Sequence, residues 1–306
     1  MNGYFNIAKP TGMSSAAVVA VLRRLTGVKR IGHAGTLDPE AAGVLPVMTG
    51  KATRLFDYLA DKEKEYVAVC AFGTATDTQD ATGTITERGE NYPDRDTLLR
   101  AAECLTGEIV QTPSMYSAIK VGGKPLYVRA RRGEKVDVPQ RIVRIDEIKV
   151  IRETEDHGFE IRVRCGRGTY IRTLCADLGK LCSCPAHMRS LTRTRSGAFR
   201  IENAISPEEA MELSEKGKLG DCLLPPDYAL DHLQRVDIPE KLAKLVINGA
   251  KLPLIPGTEQ LSGGKPVRIY LKDGFWGIAA RKERELVWKV QIAPESGLEE
   301  MKSRCV

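Results

Sequence analysis

The sequence lacks long hydrophobic runs, which excludes a protein that crosses the membrane on apolar helices. Its longest apolar stretch without Gly or Pro covers residues 16–22, whereas a membrane span needs about 20 such residues. The first four residues also lack the basic segment and the apolar stretch of a secretory signal. We therefore expect a cytoplasmic protein with no membrane partner.

Histidine and tryptophan are scarce, with four and two residues among 306, whereas cysteine occurs eight times. Without an export signal, the cysteines are expected to be reduced thiols and not a disulfide scaffold. Cys182, Cys184 and His187 could be interpreted as metal ligands, but their spacing fits no common zinc pattern and a second Cys pair is missing. Buried or helix-end thiols are the favoured interpretation, and we expect no metal site.

Acidic residues are absent from two of three arginine-rich stretches. Residues 162–172 and 187–200 each carry a net charge of +4 with no acid, and residues 118–144 carry +6. Because the whole chain carries +6, the remainder is acidic, with a net charge of −8. Positive charge concentrated in this way is typical of a polyanion-binding face. The alternative is that each run only solvates a loop.

Hydrophobic periodicity and turn signals predict an α+β chain. Residues 29–50 are rich in Gly and Pro and are predicted to form a loop, with a short helix beyond it. The predicted strands cover residues 65–73, 142–150, 159–165, 267–271, 275–280 and 286–292. Four helices are predicted. The first starts at Ser14 or Ser15 and ends near Gly27, and the second starts at Asp96 and ends near Leu105. The third covers residues 170–181, and the fourth follows a capping box at residues 206–209.

The composition of the chain changes after about residue 225. Pro225 and Pro226 interrupt the chain, and short predicted strands follow. The sequence Lys272-Asp273-Gly274 is a strong hairpin signal between two of them. We expect a small β-rich second domain, followed by a polar tail over residues 295–306.

One loop, Gly-His-Ala-Gly-Thr-Leu-Asp-Pro at residues 32–39, has the features of a catalytic segment. Asp38 precedes a proline and so favours an extended or turn conformation, and the glycines before it permit close approach of a ligand. A carboxylate on such a loop suits nucleophilic or acid–base chemistry. The alternative is that Asp38 caps the next helix, and the residues alone favour neither.

Seven ordered motifs resemble those of the TruB family, the bacterial tRNA pseudouridine synthases that act on the T-arm uridine. They lie in order along the first 200 residues, which makes a chance resemblance very improbable. The motifs cover residues 6–15, 32–39, 64–66 with 72–73, 76–83, 115–120 with 123 and 126–127, 168–174, and 186–187 with 191–194.

The resemblance implies a catalytic domain over residues 1–228, with a mainly antiparallel mixed sheet flanked by helices. Residues of about 115–145 would form a basic RNA-contacting insertion, and residues 229–294 a PUA-like RNA-binding domain. The implied activity is isomerisation of uridine 55 of tRNA to pseudouridine, which is redox-neutral and needs no cofactor. The implied partner is tRNA, contacted at its T stem-loop and acceptor stem by a monomeric enzyme.

The resemblance also implies roles for individual residues. Asp38 would be the catalytic aspartate, Arg172 would pair with it and keep it ionised and oriented, and Tyr66 would stack on the flipped-out base. Further residues would bind the substrate. His33 would help to open the T loop and occupy the space left by the base, Asp80 would interact with Arg172, and Leu191 would line the pocket. Lys9 and Pro10 would buttress Tyr66, and the remaining substrate-binding residues would be Tyr170, Lys120, Arg129 and Arg132.

Other interpretations of these residues stay open. Tyr66 could be a core residue of its strand, Arg172 could bridge to an exposed acid, and His33 could be a satisfied loop histidine. The chain as a whole could be a non-catalytic tRNA-binding or folding module on the same scaffold. A carboxylate-dependent hydrolase acting on RNA is disfavoured, because a second paired acid or a metal cluster is missing.

Overall fold

The computed structural model describes residues 1–59, 63–117, 119–134 and 136–293. The predicted polar tail at 295–306 lies outside this part, as do Ala118 and Lys135 of the basic insertion. The described strands are β1 Gly3–Lys9, β2 Ile31–His33, β3 Ala42–Thr49, β4 Lys64–Phe72, β5 Thr74–Thr76, β6 Ile85–Arg88, β7 Gly107–Gln111, β8 Lys120–Val121, β9 Lys124–Pro125, β10 Arg141–Glu153, β11 Gly158–Cys165, β12 Ala186–Ser196, β13 Phe199–Arg200, β14 Arg235–Asp237, β15 Leu252–Pro253, β16 Pro266–Leu271, β17 Gly274–Lys282 and β18 Glu285–Gln291.

Helices are fewer and mostly short. The α-helices are α1 Ser15–Thr26, α2 Arg95–Cys104, α3 Leu126–Ala130, α4 Ile171–Leu181, α5 Pro207–Glu215 and α6 Ala243–Ile247, and the 3-10 helices are Gly50–Tyr58, Ile201–Asn203, Leu219–Cys222 and Glu240–Leu242. No helix within the described ranges has the length and apolarity that crossing a membrane requires.

The larger sheet has the strand order β1-β3-β12-β4-β11-β10-β7, with β2 attached to β3 and β13 to β12. Its pairs are antiparallel except for β12 with β3. Helix α4 packs against β12 and β4, where Leu174 and Leu178 join a buried apolar cluster with Ala68 and Ile161. The predicted mainly antiparallel mixed sheet with flanking helices is confirmed.

Local capping determines where the predicted helices begin. Ser14 caps α1 by accepting a hydrogen bond from Ala17 N, and the left-handed Gly27 ends this helix, as predicted. The capping box of Ser206 and Glu209 is also confirmed. The prediction that Asp96 caps α2 is wrong, because the cap is Asp94, which accepts from Thr97 N at 2.8 Å.

The prediction of a loop over residues 29–50 is wrong, since β2 and the buried β3 lie within it. Gly43, at φ +104°, contacts β12 so closely that a β-carbon there would lie 2.2 Å from Arg193 O. Pro46 has no backbone N–H and so cannot donate a hydrogen bond within the sheet. Its carbonyl oxygen still accepts a hydrogen bond from Ala34 N at 2.8 Å. Gly43 therefore permits close packing against β12, Pro46 pairs with Asn6 of β1, and neither forms a turn. The short helix beyond is confirmed at Gly50–Tyr58.

The smaller sheet has the order β14-β16-β17-β18-β15, and it confirms the β-rich C-terminal part. Lys272 and Asp273 both have positive φ and form the tight turn between β16 and β17 that the sequence predicted. An apolar cluster joins this sheet to the larger one. It includes Tyr4, Met48, Leu55, Phe199, Leu230, Tyr270, Phe275, Ile278 and Val290. The domain boundary at residue 228 and the PUA-like character stay predictions.

Candidate functional site

The loop that carries Asp38 is fixed on both sides of this residue. Before it, the Ser15 hydroxyl accepts a hydrogen bond from Leu37 N and donates one to Leu37 O, both at 2.9 Å. After it, Pro39 O accepts from Gly12 N at 2.9 Å and from Lys9 Nζ at 3.0 Å. The backbone is thus held while the Asp38 side chain stays 48% exposed. A carboxylate in this position can meet a ligand without a loop rearrangement.

Lys9 is buried, and its ammonium donates to three backbone carbonyl groups. Besides Pro39 O, it reaches Pro10 O at 2.8 Å and Met13 O at 2.6 Å. Burial lowers the pKa of Lys9 to about 8, against the opposing effect of Glu40 and Asp38. These bonds join Lys9 and Pro10 to the loop of Asp38, whereas the resemblance implied that they buttress Tyr66.

Arg172 stands in the first turn of α4 and is only 8% exposed. Its Nε lies 3.2 Å from Asp38 Oδ2, and its Nη1 lies 3.2 Å from Asp80 Oδ2. The same guanidinium donates to Thr78 O at 3.1 Å and to Tyr116 O at 3.0 Å. Three partners besides Asp38 therefore hold this guanidinium in place.

Asp80 is the second carboxylate partner of Arg172 and is itself held by hydrogen bonds. Its Oδ1 accepts hydrogen bonds from the hydroxyls of Thr78 at 2.7 Å and Thr82 at 2.6 Å, and from Thr82 N at 3.0 Å. Burial acts to raise the pKa of Asp80, but the bonds from Thr82 and Thr78 and the charge of Arg172 together lower it. Asp80 is thus held as a carboxylate beside the buried guanidinium.

A cavity of about 190 Å³ opens beside the Asp38–Arg172 pair. Tyr66, in the interior of β4, and Leu191, on the adjacent β12, contribute two of its walls. Both are apolar surfaces that can contact a flat ring. The lining residues are Thr36, Leu37, Asp38, Lys64, Tyr66, Gly168, Thr169, Tyr170, Ile171, Arg172 and Leu191.

Arg193 is a site residue that sequence reasoning missed. It is fully buried, and its guanidinium donates to Val44 O at 2.7 Å and to Gly35 O at 3.1 Å. Its charge also acts on the hydroxyl of Tyr66. Burial raises the pKa of the Tyr66 hydroxyl, and Arg193 opposes this rise. Arg193 thereby connects the wall of the cavity to the loop that precedes Asp38.

The remaining predicted residues lie at different distances from this centre. Tyr170 lines the cavity, and its backbone is held by the buried Gln111, which accepts from Tyr170 N and donates to Tyr170 O. His33 ends β2, and within the described chain its buried Nδ1 has no hydrogen-bond partner. Burial, with Arg193 nearby, lowers the pKa of His33. Lys120, Arg129 and Arg132 lie on the segment of β8, β9 and α3 and do not line this cavity.

Several arginines of the basic stretches are engaged within the chain. In residues 187–200, Arg189 pairs with Asp156 at 2.6 Å and Arg195 with Glu63 at 2.7 Å, while Arg193 is buried. Arg162 and Arg164 both pair with Glu147, at 3.4 and 3.6 Å, respectively. Most arginines of these two stretches therefore have acidic or backbone partners within the chain, and their part in binding a polyanion stays a prediction. In the 118–144 stretch, Lys120, Arg131 and Arg132 remain exposed.

The cysteine and histidine of the weak metal pattern are placed separately. Cys182 and Cys184 are buried beyond α4, and His187 Nδ1 lies 2.9 Å from Thr74 O. Among the residues that the structure describes, there is no group of three or more His, Cys, Asp or Glu side chains that could hold a metal ion.

Comparison with known proteins assigns the family. The sequence matches the TruB family pseudouridylate synthase (N terminal domain) over residues 23–171 and the tRNA pseudouridylate synthase B C-terminal domain over residues 172–231. A protein of Geobacillus kaustophilus named tRNA pseudouridine synthase B is 44% identical over 86% of this chain and 95% of its own. The protein of the same name in Bacillus subtilis is 37% identical over 90% of this chain and 91% of its own.

Solved structures agree with this assignment. A Cbf5–Nop10–Gar1 complex contains a chain with a TM-score of 0.70 and 28% identity, over 95% of this chain and 84% of that one. An H/ACA RNP bound to a substrate RNA containing 2′-deoxyuridine gives a TM-score of 0.70 at 25% identity, over 96% and 86% of the two chains. The fold and the sequence thus define a pseudouridylate synthase, a class of isomerases. The chain belongs to the TruB family, as its motifs predicted.

Proposed function

We propose that this protein isomerises the T-arm uridine at position 55 of tRNA to pseudouridine, with Asp38 as the catalytic group. The observation that carries the proposal is the Asp38–Arg172 ion pair at the opening of a cavity walled by Tyr66 and Leu191. The related proteins from Geobacillus kaustophilus and Bacillus subtilis are both named tRNA pseudouridine synthase B, which supports tRNA as the substrate.

The target base has to leave its stack to enter the cavity. Extrusion of a base costs a few kcal/mol, and stacking on an aromatic face returns about 1–3 kcal/mol. Tyr66 offers that face, with Leu191 as a second wall of the cavity. His33, at the end of β2, would help to open the T loop and occupy the space that the extruded base leaves.

The reaction breaks the N1–C1′ bond of uridine and forms a C5–C1′ bond. The C5 proton departs and N1 gains a proton, so atoms and electrons balance without an oxidant. Asp38 either adds to the nucleotide or takes the C2′ proton to form a glycal, and Arg172 holds it in the required orientation through Nε. Tyr66 lies on the cavity wall where it can assist removal of the C5 proton.

The rest of the RNA would be held by surfaces outside the cavity. Lys120, Arg129 and Arg132 belong to the insertion of about 115–145, which we propose contacts the T stem through its phosphates. RNA helices are recognised largely by shape and by their backbone, which suits this segment. The C-terminal sheet, proposed as PUA-like, would contact the acceptor stem. We propose that the protein acts as a monomer in the cytoplasm.

The deciding experiment treats a T-arm stem-loop with the purified full chain and no added cofactor. Pseudouridine at position 55, located by chemical mapping and confirmed by mass spectrometry of the nucleosides, is the expected product. The rival function, a non-catalytic tRNA-binding or folding module, predicts binding without conversion. The presence of Asp38, Tyr66 and Arg172 around one cavity supports catalysis over that rival.

A further inference from the structure

Lys64, the first residue of β4, is a partly buried cation for which the described residues supply no counterion. In the described part of the chain its ammonium makes no hydrogen bond and no ion pair. Burial lowers the pKa of Lys64 to about 8, the guanidiniums of Arg193 and Arg167 act in the same direction, and Cys165 acts in the opposite sense. An anion that approaches a partly buried cation in such surroundings offsets part of its desolvation cost.

Lys64 stands where two cavities meet. The second cavity, of about 380 Å³, shares Thr36, Lys64, Gly168 and Tyr170 with the first. Arg167 lines only this second space. Its walls are otherwise largely apolar, formed by Pro46, Phe56, Leu59 and Phe199 among others. An apolar space entered past two cations suits a nucleotide with its phosphate better than a free inorganic anion.

Gly35 lies beside the side-chain nitrogens of both Lys64 and Arg193. Its φ is +125°, and a β-carbon at this position would lie 3.7 Å from both Lys64 Nζ and Arg193 Nη1. The two nitrogens therefore face the same point beside the backbone of the Asp38 loop. Arg193 donates to Gly35 O and Thr36 O on one side, so its position is fixed before any ligand binds.

We propose that Lys64 and Arg167 form a binding site for one phosphodiester of the substrate RNA, the one adjacent to the nucleotide in the first cavity, with the buried Arg193 adding positive charge behind Lys64. This inference rests on the proposed function, because it is the target nucleotide that brings the phosphate to the junction. Occupation of the site gives Lys64 an anionic partner that the described residues do not supply. It also fixes the strand of the RNA beside Asp38, so Lys64 is a substrate-positioning residue.

The test combines protein variants with uncharged phosphate analogues in the T-arm stem-loop. Single methylphosphonate linkages replace the phosphate on the 5′ or the 3′ side of the target uridine. Binding and single-turnover rates are measured for the unchanged protein, for Lys64→Met, for Lys64→Arg, which keeps the charge, and for Lys218→Met, an exposed lysine that lines neither cavity. Thermal unfolding of each variant checks that it is folded.

For the all-phosphate RNA, we expect Lys64→Met to weaken binding or slow turnover about tenfold, the loss of one charge-assisted hydrogen bond. A methylphosphonate at one of the two positions should produce a similar loss in the unchanged protein and almost none in Lys64→Met. Lys64→Arg should retain most of the effect, and Lys218→Met should behave as the unchanged protein.

The proposal is wrong if, at both linkage positions, the methylphosphonate and the Lys64→Met substitution reduce binding or turnover independently, so that their effects multiply. It is also wrong if Lys64→Met is folded and binds and converts the RNA as the unchanged protein does. Saturable binding of inorganic phosphate alone that disappears in Lys64→Met, without any coupling to the RNA linkages, would assign the site to a free anion instead. Failure of the proposed function has a different signature, since the unchanged protein would then bind these RNAs but form no pseudouridine from any of them.

Discussion

Arg172 and Asp38 are joined at 3.2 Å, yet the arginine side chain is 8% exposed and the aspartate side chain 48%. The buried partner is held by Asp80, Thr78 O and Tyr116 O, so its geometry is set by the interior of the protein. The exposed partner inherits that orientation while it stays accessible to a substrate. Pre-organisation of this kind places a reacting group without reorganisation during catalysis.

Asp38→Asn should abolish pseudouridine formation while RNA binding stays within a few fold. The amide keeps the size of the side chain but removes the charge and the basicity on which the chemistry depends. The measurement is pseudouridine mapping in the T-arm stem-loop, alongside a binding titration. Glu40→Gln, which alters a neighbouring exposed carboxylate, is the matched control and should turn over normally. Conversion by folded Asp38→Asn would refute the assignment.

Asp80→Asn should lower the free energy of unfolding by about 1.5–3 kcal/mol, since it removes a charged partner of the buried Arg172. The pKa of Asp80 is lowered in the folded protein. Its contribution is therefore fully present above the ordinary carboxyl pKa of about 3.9 and is lost as the pH falls through the lower folded value. Urea unfolding at several pH values checks this, and an unchanged acid dependence in the variant would contradict it.

Arg193→Met should reduce the rate of conversion more than it reduces RNA affinity. The variant removes the donors to Gly35 O and Val44 O and the positive charge near the Tyr66 hydroxyl, so the loop before Asp38 loses its anchor on β12. Arg193→Lys keeps the charge and should restore part of the rate. Single-turnover kinetics at saturating RNA separate the two effects, and equal losses in both variants would favour a purely structural role.

Neutralising Arg129, Arg131 and Arg132 should weaken tRNA binding and flatten its dependence on salt. Each lost phosphate contact lowers the slope of log K against log salt concentration by about 0.7–0.9. Binding titrations over a range of salt concentrations measure the slope. The matched control neutralises Arg152 and Arg189, which already pair with Glu160 and Asp156. A slope that changes only in the control would place the RNA path elsewhere.

The sequence predicted those features that depend on local chemistry. The cap of α1, the tight turn at Lys272 and Asp273, and the presence of Asp38, Tyr66 and Arg172 in ordered motifs could all be recognised without a fold. The pairing of Arg172 with Asp38 and Asp80 came from the family resemblance, because residues 38, 80 and 172 meet only through the sheet and α4.

Other features depend on tertiary packing and could not be predicted locally. Arg193 and Arg195 are separated by one residue in β12, and from the sequence alone both would be taken for exposed basic residues. One is fully buried against the Asp38 loop, and the other pairs with Glu63. The sequence likewise gives no sign of a role for Lys64, because only the folded chain shows that its side chain lines both cavities. The sequence did not predict β3, because Gly43 and Pro46 are residues typical of turns. In the structure the glycine is explained by the close contact of its backbone with β12.

The apolar cluster between the two sheets has a consequence for deletion studies. Tyr4 and Phe199, with ring centres 5.4 Å apart, lie in the same cluster as Tyr270 and Phe275 of the C-terminal sheet. A chain shortened after Pro226 would leave these rings facing water, and it would tend to aggregate or unfold at lower temperature. Weaker tRNA binding by such a fragment would then report a damaged scaffold, so the contribution of the C-terminal surface is better measured by single exposed substitutions in the intact chain.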